Sequence, residues 1–312
     1  MIKIGVIGAG VMGGHHIRNL SCMDVELVGL SDIDKNRVCE LSENFNTKGF
    51  LDYKELVKEG IDAAVVAVPT KLHKSVCDYL IDNGVHILVE KPIADTVENG
   101  KEIITKAKKE GIKLSVGHIE RFNPAIQKLK EIIKNESLGK VVTMSSKRVG
   151  PYNPRIRDVG IIVDLGVHDI DIMSFLLEEK VKTVYATGGR RIHPFEDFAT
   201  ILMTFGNSCT GLIDTNWHTP HKVRSLTVVA DKGIAEVDYI DQKLILYDKE
   251  WVKEAKVERR EPLSLELECF INYLKKDIAP PVSGEDGLHA LEVAISAIDS
   301  YVNNKIINIK SK

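Results

Sequence analysis

Short apolar runs alternate with stretches of helical period over the first 117 residues. Positions 2–7, 25–30, 63–68, 86–89 and 113–116 are apolar at most residues, as in strands buried on both faces. Between them, 35–44, 71–83 and 96–110 repeat their apolar residues at the spacing of helices that cover a sheet. Strand and helix taking turns predict a parallel sheet with crossover helices on both faces. Asp52 followed by Glu55 marks the start of one short helix, and Gly84 and Gly111 stand just past two others, where a left-handed cap favours glycine.

The rhythm changes near residue 120. A helix over 124–134, a strand over 140–149 and a helix near 168–177 precede a succession of strand-like runs at 182–188, 199–205, 208–216, 226–230, 234–239 and 243–247. Strands following strands predict a largely antiparallel sheet with one helix-covered face and one open face, which makes a homodimer or homotetramer the expected assembly. The final amphipathic run, 287–302, can pack back on either part. The expected fold class is therefore α/β, with a doubly wound parallel domain over 1–120 and an α+β domain with an open, mostly antiparallel sheet over 121–312.

Composition narrows the function. The chain of 312 residues is 44% hydrophobic and 28% charged with a net charge of −3, which argues against a general binder of nucleic acid or membrane surfaces, because those carry a basic excess. No apolar stretch reaches the roughly 18 residues of a membrane span. Cys22, Cys39, Cys77, Cys209 and Cys269 are odd in number, widely spaced and without a CxxC pair, as suits reduced thiols in a cytoplasmic protein. No His/Asp/Cys set shows zinc spacing, so no metal is expected.

Gly8-Ala-Gly10-Val11-Met12-Gly13 follows an apolar strand and opens a helical pattern. Gly8 permits a tight turn, Gly10 lets the backbone approach a pyrophosphate, and Gly13 lets helix and strand pack closely, while the helix start offers amides to the phosphates. Asp32 closes the second strand, where a carboxylate accepts from both ribose hydroxyls and repels a 2′-phosphate. A Rossmann domain that takes NAD in preference to NADP is the expectation; Arg37 leaves dual use open. Pro69-Thr70 and Glu90-Lys91-Pro92 end two further strands, with His73 at the start of a helix, so both segments should border the nicotinamide. The predicted cofactor contacts are Gly8, Gly10, Val11, Met12, Gly13, Asp32, Pro69, Thr70, His73, Glu90 and Lys91. His15, His16, His86 and His289 receive no role, and His118 and His193 stay open.

The glycine motif, the Glu90-Lys91-Pro92 tripeptide and a later Asp164-Leu-Gly-Val-His168 together make the chain resemble the Gfo/Idh/MocA family, whose name joins glucose-fructose oxidoreductase, inositol dehydrogenase and a rhizopine-catabolism protein. The resemblance runs over essentially the whole length. It implies an NAD(P)-binding Rossmann domain, a second domain that supplies substrate contacts and the oligomer interface, a cis peptide before the proline that Pro92 matches, and catalytic roles for Lys91, Asp164 and His168. The chain departs from the family where many members have a glycine pair, reading Arg157-Asp-Val-Gly160 ahead of Asp164. Oxidising a secondary alcohol moves a hydride to the nicotinamide and a proton to a base. An imidazole titrates near neutrality and suits His168 as that base, an ammonium at Lys91 can hold the developing oxyanion or share the proton, and Asp164 can orient the pair.

The segments Gly117 to Pro124 and Lys147 to Arg157 resemble members acting on nucleotide-activated amino sugars. That implies a UDP-sugar, UDP-N-acetylglucosamine oxidised to its 3-keto derivative, held by Arg121, Asn123, Arg148, Tyr152, Arg155 and Arg157, with arginine fork contacts to the diphosphate and a tyrosine stacked on base or sugar. The alternatives are a dehydrogenase of a free polyol or hexose, of inositol or glucose type, and a non-catalytic NAD-binding sensor.

Overall fold

A computed structural model describes residues 1–154, 159–206 and 209–309. The chain divides into two compact units, Met1–Ile119 with Leu263–Leu288, and Glu120–Pro262 with His289–Lys312.

In the first unit β1 (Lys3–Ile7), α1 (Val11–Leu20), β2 (Glu26–Ser31), α2 (Lys35–Asn44), β3 (Lys48–Phe50), α3 (Tyr53–Lys58), β4 (Ala63–Val66), α4 (His73–Asp82), β5 (His86–Glu90), α5 (Val97–Lys109) and β6 (Leu114–Gly117) follow one another. The sheet order is β3-β2-β1-β4-β5-β6 and every pairing is parallel. The winding reverses between β1 and β4, which opens a crevice at the carboxyl ends of those strands. Helix starts are fixed by side chains: the Asp34 carboxylate accepts from Asn36 N (3.0 Å), that of Asp52 from Lys54 N (2.9 Å), and the Thr96 hydroxyl from Asn99 N (3.1 Å). Gly84 and Gly111 close α4 and α5 at φ of 74° and 68°, a left-handed region open to glycine without a Cβ penalty.

The second unit contains α6 (Pro124–Lys134), β7 (Val141–Pro151), α7 (Val167–Leu177), β8 (Val181–Gly189), β9 (Phe198–Phe205), β10 (Thr210–Asn216), β11 (His218–Ala230), β12 (Gly233–Asp238), β13 (Lys243–Tyr247) and β14 (Val252–Glu254). After these come α8 (Pro262–Lys275), α9 (Gly284–Asn303) and β15 (Ile307–Asn308). The nine strands order as β14-β13-β12-β11-β7-β10-β9-β8-β15, antiparallel except between β7 and β10. Strand alternation sends Met144, Ile201, Met203, Ile213, Val228 and Val237 into a core shared with Ile170 and Met173 of α7.

Two features depart from the sequence expectation. Residues 263–288 return to the first unit instead of staying with 121–312. Leu263, Leu267, Phe270 and Ile271 of α8 form one apolar stripe that packs with Ile4, Val6, Ala63 and Leu88. α9 is divided: Gly287 lies so close to Val116 that an added Cβ would meet it at 2.7 Å, whereas Ala290, Val293, Ala294 and Ala297 join the core of the second unit. Among the described residues no helix is long and apolar enough to cross a membrane.

Candidate active site

The glycine turn after β1 is shaped for a close ligand. Gly8 has φ of 95°, and a Cβ on it would meet the Ala67 carbonyl oxygen at 2.5 Å, so both backbone conformation and space demand glycine. A Cβ on Gly13 would fall 1.8 Å from the Gly8 carbonyl oxygen, which is how tightly α1 lies against the turn. Gly10 differs: a Cβ there would meet nothing within 4 Å, so its open space faces outward at the start of α1. Gly10 caps α1 without a side chain, which leaves the helix start to backbone amides and a positive dipole end. Val11 is half exposed there and Met12 is partly covered. Asp32 ties the turn to the end of β2, its Oδ2 accepting from Ala9 N (2.7 Å) and its Oδ1 from Asp34 N (2.9 Å). These residues fit a dinucleotide: a cradle that a Cβ at Gly10 would fill, amides at a helix start, and a fixed carboxylate at the neighbouring strand end.

Pro69 and Thr70 form the turn after β4, and Lys91 follows β5 at the same edge of the sheet. The Lys91–Pro92 peptide is cis. Glu90, expected as a cofactor contact, also ties β5 to α1. Its Oε1 meets Nε2 of His16, on α1, at 2.7 Å, and its Oε2 accepts from Lys91 N at 3.3 Å. The His16 side chain is wholly buried and that of Glu90 is 12% exposed. Burial alone would raise the Glu90 carboxyl, but the hydrogen bond and charge of His16, helped by Lys91 and His73, hold it below the ordinary glutamate value. His16, which received no role in the sequence reading, therefore fixes the strand end that carries Lys91.

His73 braces the two loops beside the expected cofactor site. It is buried, with Nδ1 3.0 Å from the Pro92 carbonyl and Nε2 3.0 Å from the Val68 carbonyl, so it bolts the β4 and β5 loops together. Burial lowers its pKa against the pull of those two carbonyls. A depression of about 530 Å³ lined by Lys3, Glu26, Thr47, Lys48 and Glu59 opens at the amino ends of β1, β2 and β3, the wrong edge for a ligand of a doubly wound sheet.

In the second unit Asp164 lies within a turn of π-helix, Ile162–Gly166, and His168 in the first turn of α7 that continues it. Such π turns recur at functional sites because they re-aim side chains within a continuous helix. α7 is apolar over most of its surface, yet Asp169 and Asp171 are buried, and both are held by arginines. Arg148 Nε and Nη2 donate to Asp169 (2.8 and 3.1 Å), Arg148 Nη1 donates to Glu120 (2.7 Å), and its guanidinium lies 4.8 Å from the Tyr239 ring centre. Arg121 Nε and Nη2 donate to Asp171 at 2.8 and 2.6 Å. Burial pulls Arg148 down, but Asp169 and Glu120 raise it well above its ordinary value. Burial also pushes the Asp169 carboxyl up, against Arg148, so the two partners point in opposite directions. The two-pronged contact decides for the ion pair.

These contacts occupy three of the residues expected to hold substrate. Arg121 and Arg148 spend their guanidinium donors on buried carboxylates and anchor α7, and Arg148 is among the largest fully buried side chains. Asn123 caps α6, its Oδ1 accepting from Ala125 N (3.1 Å) while Nδ2 donates to the Tyr239 carbonyl (3.0 Å). A signal for Arg148 was available in strand parity, since Met144, Ser146 and Arg148 share the buried face of β7 and Lys147 the exposed one. Tyr152 is half-buried with its ring packed near those of His193 (5.5 Å) and Trp217 (5.6 Å). Arg155 and Arg157 lie outside the described residues.

A parallel sheet wound 3-2-1-4-5-6 with a glycine turn and an aspartate at adjoining strand ends defines a Rossmann-type nucleotide-binding fold. The comparisons agree: the oxidoreductase family with an NAD-binding Rossmann fold matches residues 2–118, and the GFO/IDH/MocA C-terminal domain matches residues 126–236. The chain belongs to the Gfo/Idh/MocA family of oxidoreductases. It is 27% identical over 314 residues to UDP-N-acetylglucosamine 3-dehydrogenase of Acidithiobacillus ferrooxidans, with 96% of this chain and 98% of that protein covered. The solved structure of that enzyme has a TM-score of 0.90 at 26% identity, over 96% of this chain and 97% of the other. Similarity to myo-inositol 2-dehydrogenase of Thermotoga maritima is also 27%, over 330 residues and 99% of each chain.

Proposed function

We propose that this protein is an NAD-dependent dehydrogenase that oxidises a secondary alcohol of a sugar to a ketone, and that its substrate is UDP-N-acetylglucosamine, oxidised to the 3-keto derivative. The observation that carries the reading is the carboxyl edge of the parallel sheet, where the glycine turn, Asp32 and Lys91 follow β1, β2 and β5. When bound, the nicotinamide supplies the hydride acceptor. Lys91 stabilises the negative charge that develops on the substrate oxygen as the hydride leaves carbon. His168 takes the hydroxyl proton, and Asp164, one helical turn earlier, orients the imidazole. Asp32 retains lone pairs beyond those that accept from Ala9 and Asp34, and they accept from ribose hydroxyls and repel a 2′-phosphate, which favours NAD over NADP.

The likeness to the UDP-N-acetylglucosamine enzyme over nearly the whole chain supports the nucleotide sugar. Burial of Arg121 and Arg148 favours the second reading, a free polyol such as inositol, because it removes two cations from diphosphate binding. The test is NADH formation from UDP-N-acetylglucosamine, with an aminotransferase removing the product, against inositol and glucose, using NAD and NADP in parallel. Turnover of the UDP-sugar with NAD, and a KM raised about tenfold or more by Arg155→Gln with Arg157→Gln, is expected from the loss of charge-assisted contacts. Turnover of inositol with a KM indifferent to those changes would replace the substrate; inertness across the panel would leave an NAD-binding sensor.

We also assign the oligomer interface to the open face of the nine-stranded sheet, where Leu202 pairs with Leu212 at exposures of 44% and 38%. Light scattering that gave a monomer would reject it. The five free thiols suit a reducing cytoplasm.

A further inference from the structure

The geometry points to Glu196 as a positioning residue for the turn that carries Asp164 and His168, a role that rests on the function proposed above. The first two amides of that helical segment have no partner within the helix. Glu196 meets both: its backbone carbonyl accepts from Ile161 N at 2.9 Å, and its carboxylate Oε1 accepts from Ile162 N at 3.2 Å. Glu196 is 5% exposed, so water does not compete for these bonds. Gly160 makes the approach possible, since a Cβ there would lie 2.1 Å from the Glu196 carboxyl group. A cap drawn from 34 residues further along the chain thus sets where the π turn begins, and hence the direction of the two side chains on it.

The loop that presents Glu196 is itself held fast. Asp197 is fully buried, and its Oδ2 accepts from the backbone amides of Arg191 (2.7 Å), Ile192 (2.6 Å) and His193 (3.1 Å). Its Oδ1 is 2.8 Å from His218 Nε2, which ties the loop to β11. His193 and Trp217 pack edge to face at 5.1 Å behind it. A loop wound round one carboxylate and pinned to a neighbouring strand can hold a helix start to the tolerance that proton transfer requires. Burial raises the Glu196 carboxyl above its ordinary value, against the pull of its own and the Ile162 amides, so an uncharged isostere at this position keeps the acceptor and sheds the burial cost.

The test compares Glu196→Ala, Glu196→Gln and Gly160→Ala in the full-length protein. Gly160→Ala displaces the carboxylate without deleting it, so it reports on the contact should Glu196→Ala fold poorly. Hydrogen–deuterium exchange over residues 160–168, read without substrate, should accelerate about tenfold in the alanine variants, as loss of a cap implies. The turnover of the UDP-sugar or polyol should fall about 10- to 100-fold with KM retained, and Glu196→Gln should recover most of it. Unchanged exchange in both alanine variants, or a KM effect with kcat retained, would overturn the positioning role. A parent protein inert toward every substrate would sink the proposed function instead, while the exchange data would still decide whether Glu196 sets the turn.

Discussion

Replacing Arg148 by Met tests whether this arginine anchors α7 or binds substrate. Methionine keeps most of the buried volume but removes every donor. Asp169, 1% exposed, then loses its two-pronged partner, and Glu120, 11% exposed at its side chain, keeps Arg224 at 3.5 Å. Breaking a buried pair from one side costs about 3–5 kcal/mol, because the remaining charge is left without compensation. At about 2–4 °C per kcal/mol for a unit of this size, the expected fall in Tm is about 6–20 °C. Differential scanning fluorimetry reads it directly. The double variant Arg148→Met with Asp169→Leu removes both charges and should recover part of the loss, since an apolar replacement of a buried pair is often neutral. A Tm equal to the parent's, together with a raised KM, would refute the reasoning and return Arg148 to the substrate.

Other predictions follow from the same contacts. Gly10→Ala should fold with a loss of under about 1 kcal/mol yet bind NAD more weakly, because its methyl enters the space kept for the pyrophosphate, whereas Gly13→Ala should lose about 1–3 kcal/mol or more through its backbone clash; calorimetry and melting separate the two. Glu90 binds a proton less readily folded than unfolded, so its contribution to stability is complete above 4.5 and is lost as pH falls through its folded value. Melting curves across that acid range should flatten in Glu90→Gln and should be unchanged in slope if His16 does not hold the carboxylate. His73 is lowered instead, so folding favours its neutral form and stability should decline as pH falls below 6.5 toward the folded value; His73→Gln should remove that decline.

Much of the scaffold could be read from pattern because its causes are local. Alternating apolar runs gave the parallel sheet, the glycines gave the turn, and the Glu90-Lys91-Pro92 and Asp164-to-His168 spacings marked strand end and helix turn. Partnerships across long separations stayed hidden. His16 and Glu90 are 74 residues apart, and Arg121 and Asp171 are 50 apart, so each looked like an ordinary charge or a ligand contact. A clue was present in α7, where Asp169 and Asp171 interrupt an apolar helix, since carboxylates on such a helix require buried cations. The return of α8 to the first unit left no trace in periodicity, because an apolar stripe does not say which sheet it covers. The π turn was invisible for a related reason: an extra residue in a helix changes backbone spacing without changing composition.

The claim that Lys91 serves the chemistry and not the binding of coenzyme is tested most directly by Lys91→Ala. NADH formation from UDP-N-acetylglucosamine and NAD affinity by calorimetry should be measured on the same preparation as the parent. The expected result is turnover reduced by about 10²- to 10⁴-fold with NAD affinity retained. Turnover at the parent's rate, or a loss of NAD binding that accounts for the whole defect, would contradict it.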